Sequence, residues 1–498
     1  MNKLDQSKTP YVDALKKYID EENIPFDVPG HHQRNIKTNF SEIFSSKIYK
    51  GDVNAPRGLD NVAHPTGVLK EAEELMADVT HAKYAKFLVN GSTIGIQVMI
   101  MSAVKSNEKI ILPRNCHKSV ISALILSGAV PVFVMPNIDK SSEIVNQVSF
   151  ENWKKAIDEN PDAKAIFVIN PTYFGATCEL KKVVDYAHSK NMLVLCDEAH
   201  GTHFYFGKNL PITAMDAGAD LSTLSFHKTG GSLTQSSVLL IGTDKIPLYK
   251  INKVYLFFTS TSPNTLLIAS MDAARSYLYL NGEKKINKAI RIANYARKEI
   301  AKIDGFISLN PKRFRDNGAY NYDKTKVAVE LDNLTINGFE LYKILHDEYH
   351  IQLELAETYV FLLIISFASK KSDIDALLEA LKDISIRFYD KNLVIKDHKF
   401  SKSFPELEVR PRVAFHAPLR KVPLDEAINK ISKDMIMIYP PGIPVIIPGE
   451  KFTENIIESI KNYQKNNITI ISDYDDGDVS IIDEVEWEKE DIPNYEDE

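Results

Sequence analysis

The sequence predicts an α/β protein: a mostly parallel central sheet with helices on both faces, followed by a smaller α+β unit. Three observations carry this. Lys109-Ile110-Ile111-Leu112, Val130-Pro131-Val132-Phe133-Val134 and Ala165-Ile166-Phe167-Val168-Ile169 are apolar runs of strand length with helical stretches between them, and strands that alternate with helices pair in parallel. Met192-Leu193-Val194-Leu195-Cys196 and Ala219-Asp220-Leu221-Ser222-Thr223-Leu224 stop abruptly at polar residues, as strands buried on both faces do. Beyond about residue 305 the order changes, and Lys326–Leu331, Gly338–Glu348 and Val360–Ser366 suggest the smaller unit.

Ahead of the alternation, Pro10 to Tyr18 reads as an N-terminal helix. The resulting division is an N-terminal segment at 1–67, a large α/β domain at 68–304, a smaller α+β domain at 305–472 and an acidic tail at 473–498. That tail holds thirteen acids and one lysine, a net of −12, which leaves the rest of the chain near +5 although the whole carries −7. So dense a single-sign charge predicts disorder. No apolar stretch reaches membrane-span length, the N-terminus lacks an apolar signal region, and no basic stripe interleaved with aromatics suggests nucleic acid. Cys116, Cys178 and Cys196 are too few and too widely spaced for a disulfide framework or a metal site. They fit a reducing cytoplasm, with small buried filler as their role.

The chemistry concentrates in Ser225-Phe226-His227-Lys228-Thr229-Gly230-Gly231-Ser232, which follows the strand ending at Leu224. A lysine there sits at the mouth of the sheet among hydroxyls and beside a histidine, a setting that suits an amine which must lose a proton and form an imine. Thirty-one residues upstream, the other strand ends in Asp197-Glu198-Ala199-His200-Gly201. Ligands of open α/β sheets bind beyond the carboxyl ends of the strands, where Asp197 and Lys228 would both emerge. An acid and an imine-forming lysine so placed match the needs of pyridoxal 5'-phosphate: the carboxylate keeps the pyridine nitrogen protonated and the lysine carries the cofactor. Asn90-Gly91-Ser92-Thr93 follows the apolar Phe87-Leu88-Val89 and opens a helical stretch, which suits either a phosphate cradle or an ordinary helix cap.

These residues belong to an ordered series of motifs. Val28-Pro29-Gly30-His31, Gly58-Leu59-Asp60, His64-Pro65 and Arg114-Asn115-Cys116-His117-Lys118-Ser119 precede the aspartate, as does Asn170-Pro171-Thr172-Tyr173-Phe174-Gly175. Thr259-Ser260-Thr261-Ser262-Pro263, Ile351-Gln352-Leu353-Glu354, Tyr439-Pro440-Pro441-Gly442-Ile443-Pro444 and Pro448-Gly449-Glu450 follow the lysine. With this series the chain resembles the short-form bacterial ornithine/lysine/arginine decarboxylases, fold type I enzymes of the aspartate aminotransferase class, and arginine decarboxylases most of all.

The resemblance implies roles. Ser92, Thr93, Ser225 and His227 would hold the cofactor phosphate; His117 would stack on the ring and Ala199 touch its other face; His200 would lie near the cofactor. Ser260 and Thr261 would reach the phosphate of a neighbouring subunit, so a homodimer or larger homo-oligomer is expected; the 1–67 segment is read as dimer-contacting. Glu354 would face the distal cation of the substrate, since a buried carboxylate without a cation is costly; the alternatives are exposure or a structural salt bridge. Glu450 and Asp60 match family positions without a chemical job, and His203 has neither role nor expected burial. One departure is His31-His32-Gln33, where relatives often carry a histidine followed by a lysine.

The implied reaction is loss of the α-carboxylate of a basic L-amino acid, arginine to agmatine, with lysine (cadaverine) and ornithine (putrescine) as alternatives. Lys228 or His227 would then return a proton to the α-carbon. Transamination or aldol cleavage fits the aspartate–lysine pair but not the whole motif series. A non-catalytic regulatory protein would be expected to lose the imine lysine. A dinucleotide-dependent oxidoreductase lacks its Gly-x-Gly-x-x-Gly turn here.

Overall fold

The structure is a computed structural model and describes residues 4–393, 404–438, 442–465, 470–471 and 477–488. The helices that position the site are α1 (Pro10–Asp20), α2 (Val68–Val79), α3 (Gly91–Ala103), α4 (Lys118–Ser127), α5 (Phe226–Thr229), α6 (Thr265–Ile300), α7 (Gly338–Tyr349) and α8 (Lys371–Phe388). The strands are β1 (Tyr84–Leu88), β2 (Lys109–Pro113), β3 (Val130–Val134), β4 (Ala165–Ile169), β5 (Leu193–Asp197), β6 (Leu221–Leu224), β7 (Ser237–Ile241), β8 (Phe306–Ser308), β9 (Lys326–Leu331), β10 (Leu355–Ala356), β11 (Val360–Ile364), β12 (Leu419–Pro423) and β13 (Asp478–Ile482). The strands expected at 109–112, 130–134, 165–169, 192–196 and 219–224 all form, shifted by at most two residues at either end.

Contacts divide the described residues into two compact units, each of two stretches: those up to Ala103 with Leu193–Lys288, and Val104–Met192 with those from Ala289 on. The continuous ranges 68–304 and 305–472 expected from the sequence do not coincide with these. Parallel strands need long crossover connections, so stretches distant in sequence become one compact body.

In the first unit the strand order is β1-β7-β6-β5. β5 and β6 are parallel with Asp197 opposite Thr223, whereas β7 runs antiparallel to both β6 and β1. Every residue of β6 and β7 is buried. Helix α3 is apolar nearly all round, as a buried helix is; it packs on these strands and buries Ile94, Ile96, Val98 and Met99. The approach requires glycine at position 95, where a Cβ would stand 2.2 Å from Thr223 Oγ1. Two carboxylates cap helices from a distance. Asp272 of α6 accepts from the Tyr11 and Val12 amides at the start of α1, at 3.0 and 3.4 Å. Asp60, without a role at the sequence level, accepts from the Gly67 and Leu69 amides at the start of α2, at 2.7 and 2.9 Å. Negative charge at those ends satisfies free amides and complements the helix dipole.

In the second unit β2 pairs in parallel with both β3 and β4. A separate antiparallel sheet of order β10-β11-β9-β8 buries Val327, Val329 and Phe361 against Leu341 and Leu345 of α7 and Leu377, Leu381 and Ile384 of α8. Farther on, β12 and β13 pair antiparallel, and Val479 and Ile481 join a core with Leu424, Ile446, Phe452 and Ile457.

This last pairing corrects the expected disordered tail. Residues 477–488 form β13 and a short helix, Glu484–Trp487. Alternating Val479 and Ile481 supply enough apolar burial to order a stretch whose charge alone argued otherwise. The rest of that expectation, 473–476 and 489–498, lies outside the described residues, as do Tyr439, Pro440 and Pro441 of the proline motif.

Candidate active site

The first unit gathers most of the candidate residues. Parallel pairing of β5 with β6 brings their carboxyl ends to one edge; Asp197 is the last residue of β5, and Lys228 sits four residues beyond Leu224 on the single turn α5. Asp197 is buried and accepts from the Ala199 amide at 2.9 Å. Burial raises its carboxyl pKa, against the lowering effects of that amide and of the Lys228 charge. A carboxylate this dry, with one backbone donor, is held at an energetic cost that a cation placed against it would offset.

Lys228 Nζ lies 3.0 Å from Nε2 of His200, which is itself buried. His227 directs Nδ1 at the Ser236 carbonyl, 2.9 Å away. A carbonyl only accepts, so the His227 proton is on Nδ1. Burial, with Lys228 adding to it, lowers the His227 pKa, which favours the neutral ring. Ser92, at the start of α3, and Ser225, at the start of α5, meet Oγ to Oγ at 2.8 Å. Thr93 follows on the same helix end, and the Gly91 amide that leads into it donates to the Gln235 carbonyl at 2.8 Å. Ala199 is buried beside Asp197. Thr229 Oγ1, next to Lys228, is buried without a hydrogen-bond partner among the described residues.

This grouping fits pyridoxal phosphate: an amine, a desolvated acid and a pair of hydroxyls at the first turn of a buried helix serve its aldehyde, ring nitrogen and phosphate. Ser260 and Thr261 are exposed, in a bend where the Ser262 amide donates to Ser260 Oγ at 3.1 Å. His203, not expected to be buried, is packed inside the short 3-10 turn Thr202–Phe206 against Phe204. His31 is bound to Asp52 at 3.0 Å.

His117 and Glu354 belong to the second unit. His117 caps α4: the Ser119 amide donates to its Nδ1 at 3.2 Å, with Ser119 Oγ 2.8 Å away. A ring nitrogen that accepts from an amide carries no proton, so the neutral ring bears it on Nε2. Three residues earlier, Arg114 is fully buried in a two-point ion pair with Glu450, at 2.5 and 2.7 Å, which gives Glu450 the task that sequence reading did not find. Glu354 directly precedes β10. It is half-buried, and the hydroxyl of Tyr173 donates to its Oε1 at 2.5 Å. A phenol donor satisfies one oxygen of the carboxylate without neutralising it. Tyr173 also lines a cavity of about 120 Å³ with Asn115, Thr172, Phe174 and Glu357. The sequence signal for Tyr173 was its place in the Asn170–Gly175 motif, which had been given no function.

Residues 9–373 match the family described as Orn/Lys/Arg decarboxylase, major domain, and residues 394–469 match its C-terminal domain. The chain is 37% identical to an arginine decarboxylase of Halalkalibacterium halodurans over 95% of its own length and 96% of that protein's. It is 36% identical to an arginine decarboxylase of Bacillus subtilis, covering 92% of this chain and 94% of the other. Among solved structures, the Francisella novicida lysine decarboxylase superposes with a TM-score of 0.82 at 22% identity, covering 95% of this chain and 81% of that one.

Proposed function

The chain belongs to the Orn/Lys/Arg decarboxylase family, and we propose that it converts L-arginine to agmatine and carbon dioxide with pyridoxal 5'-phosphate as cofactor, on the fold type I scaffold. The observation that carries the chemistry is the convergence of buried Asp197, Lys228 and the Ser92–Ser225 pair at one sheet edge. The choice of arginine rests on the arginine decarboxylases that match nearly end to end at 36–37% identity.

Bound, the cofactor supplies an aldehyde for Lys228 and a protonated ring that accepts the electron pair left by the departing carboxylate. The rest is done by the chain. Asp197 holds the proton on the ring nitrogen and is the cation-seeking acid its desolvation makes it. Ser92, Thr93 and Ser225 bind the phosphate, aided by the amides at the start of α3, whereas the His227 proton is spent on the Ser236 carbonyl. Ala199 lies against one face of the ring, and His200 lies against Lys228. Lys228 Nζ returns the proton to the α-carbon, the His227 proton being spent on the Ser236 carbonyl. Glu354, oriented by Tyr173, receives the substrate guanidinium.

The same reading makes the enzyme a homodimer or larger homo-oligomer, with exposed Ser260 and Thr261 reaching the phosphate of a partner subunit. It also makes the enzyme cytoplasmic, in keeping with three buried thiols, of which Cys178 is pushed up to about 12 by burial and so left unreactive. Among the described residues no helix is long and apolar enough to cross a membrane.

The deciding experiment offers the purified protein arginine, lysine and ornithine separately and identifies the amine formed. Agmatine as the main product supports the reading. Cadaverine or putrescine would correct the substrate alone, and a colourless protein that never takes up the cofactor would overturn the reading altogether.

A further inference from the structure

The contact between Lys228 Nζ and His200 Nε2, at 3.0 Å, has chemical consequences beyond cofactor contact. An ammonium only donates, so with Lys228 charged the imidazole accepts at Nε2 and carries its own proton on Nδ1. Lys228 also feels Asp197 electrostatically, and a nearby carboxylate favours the charged lysine. A charged lysine is no nucleophile. The site therefore needs a proton acceptor in direct contact with Nζ.

We propose that His200 is this base: it takes the proton from Lys228 and releases the neutral amine that attacks the cofactor aldehyde. The inference rests on the pyridoxal phosphate reading above. The proton passes from Nζ to Nε2 of His200. The freed lone pair on Nζ then forms the bond to the aldehyde carbon, and the aldehyde oxygen leaves as water with the two protons remaining on the amine, closing a C=N bond. His200 gives its extra proton to solvent, so no oxidant or reductant is involved.

His200 is set for this by its place in the chain. It follows directly on Asp197-Glu198-Ala199 at the end of β5, and the Gly201 amide closes the turn onto the Glu198 carbonyl at 2.7 Å. The turn bearing Lys228 packs on the 3-10 turn Thr202–Phe206 and on β7. The ionisable groups around the pair are Asp197 and Glu198 at the end of β5, His203 and Tyr205 on the 3-10 turn, and His227 beside the lysine; β7 contributes none. His227 spends Nδ1 on Ser236. His203 packs against Phe204, and Tyr205 is held by Glu198 at 2.6 Å.

The test uses full-length protein stripped of cofactor, as wild type, His200→Gln and His200→Ala, mixed with pyridoxal phosphate. Growth of the absorbance of bound cofactor is followed from about pH 6 to 9, a range below the ordinary lysine value of about 10.4. Both variants should load about a hundredfold more slowly near neutral pH, the scale of general-base assistance. Their rates should climb with pH, and imidazole in solution should restore loading in His200→Ala. A merely structural histidine would change neither the pH profile nor the response to imidazole. Loading of His200→Gln at the wild-type rate and pH dependence would overturn the role of His200 while leaving the decarboxylase reading intact. Failure of the wild type to load would overturn both.

Discussion

Arg114 and Glu450 lie 336 positions apart in the chain and form a fully buried two-point ion pair, Nε to Oε1 at 2.5 Å and Nη2 to Oε2 at 2.7 Å. The third Arg114 nitrogen, Nη1, donates to the Pro444 carbonyl at 3.2 Å, and Glu450 also accepts from the Ile447 amide at 2.9 Å. Three residues past Arg114 stands His117, and the next amide, of Lys118, donates to the Gly442 carbonyl at 3.2 Å. The segment between β2 and α4 is therefore held by residues 442–450. Breaking a buried pair strands a charge, at about 3–5 kcal/mol. Glu450→Ala should lose stability on this scale in urea unfolding. Arg114→Met combined with Glu450→Leu should lose clearly less, because no charge is stranded. Equal losses in the single and double variants would mean that shape, not charge, holds the loop.

Glu198 adjoins Asp197 and is fully buried, accepting from Tyr205 at 2.6 Å, Ser222 at 2.7 Å and the Ala214 amide at 2.8 Å. Burial outweighs these donors and raises its pKa from 4.5 to about 7. The folded state thus holds this proton more tightly than the unfolded chain. The resulting stability is present in full below about 4.5 and is lost as pH rises through about 7, a change of about 3 kcal/mol. Between pH 4.5 and 7.5 the wild type should lose more stability than Glu198→Gln by roughly that amount, read from urea midpoints. Parallel curves for the two proteins would show that Glu198 is ionised throughout.

Asp197 and Lys228 were legible because their signal is local: an apolar run ends in an acid, a second run ends in a serine and a lysine turn, and the geometry of parallel sheets does the rest. Ser92 was legible for the same reason, as a hydroxyl at a helix start. The contacts that single-residue reading could not supply join distant positions: Glu450 to Arg114, Tyr173 to Glu354, and His200 to Lys228. Nothing in one sequence says which buried acid meets which base, so Glu450 and Asp60 had places but no tasks. The stretch Asp478–Ile482 was misread because the charge of its neighbours was averaged over it, hiding the alternation of Val479 and Ile481 that pairs it to β12.

Tyr173 should behave as the residue that aims Glu354. Its hydroxyl donates to Glu354 Oε1, and a hydrogen bond to a charged group contributes about 1.5–3 kcal/mol. Tyr173→Phe should therefore raise KM for arginine about tenfold, the lower end of that range, and leave kcat close to wild type. Glu354→Gln should raise KM further, and the double variant should add little beyond it, since the tyrosine would then have no charge to orient. Additive effects in this cycle would show that the two residues act on the substrate independently.

The closest approach of α3 to the sheet offers a test of how tightly the cradle is built. A Cβ at position 95 would stand 2.2 Å from Thr223 Oγ1 and 2.9 Å from both Thr223 Cβ and Leu88 Cδ1. Thr223 is fully buried on β6 opposite Asp197, so it has no room to turn away. Gly95→Ala must then push α3 off the sheet, and overpacking of a dense core costs about 1–3 kcal/mol. Because Ser92 opens the same helix and meets Ser225 on the lysine side, the shift should also part that pair of hydroxyls. The variant should thus lose both unfolding stability and affinity for pyridoxal phosphate. Thr223→Ala removes the nearest atom and should recover part of both losses when combined with Gly95→Ala. Recovery of stability without recovery of cofactor affinity would separate the packing of α3 from the placement of Ser92, and would show that the cradle does not depend on this contact.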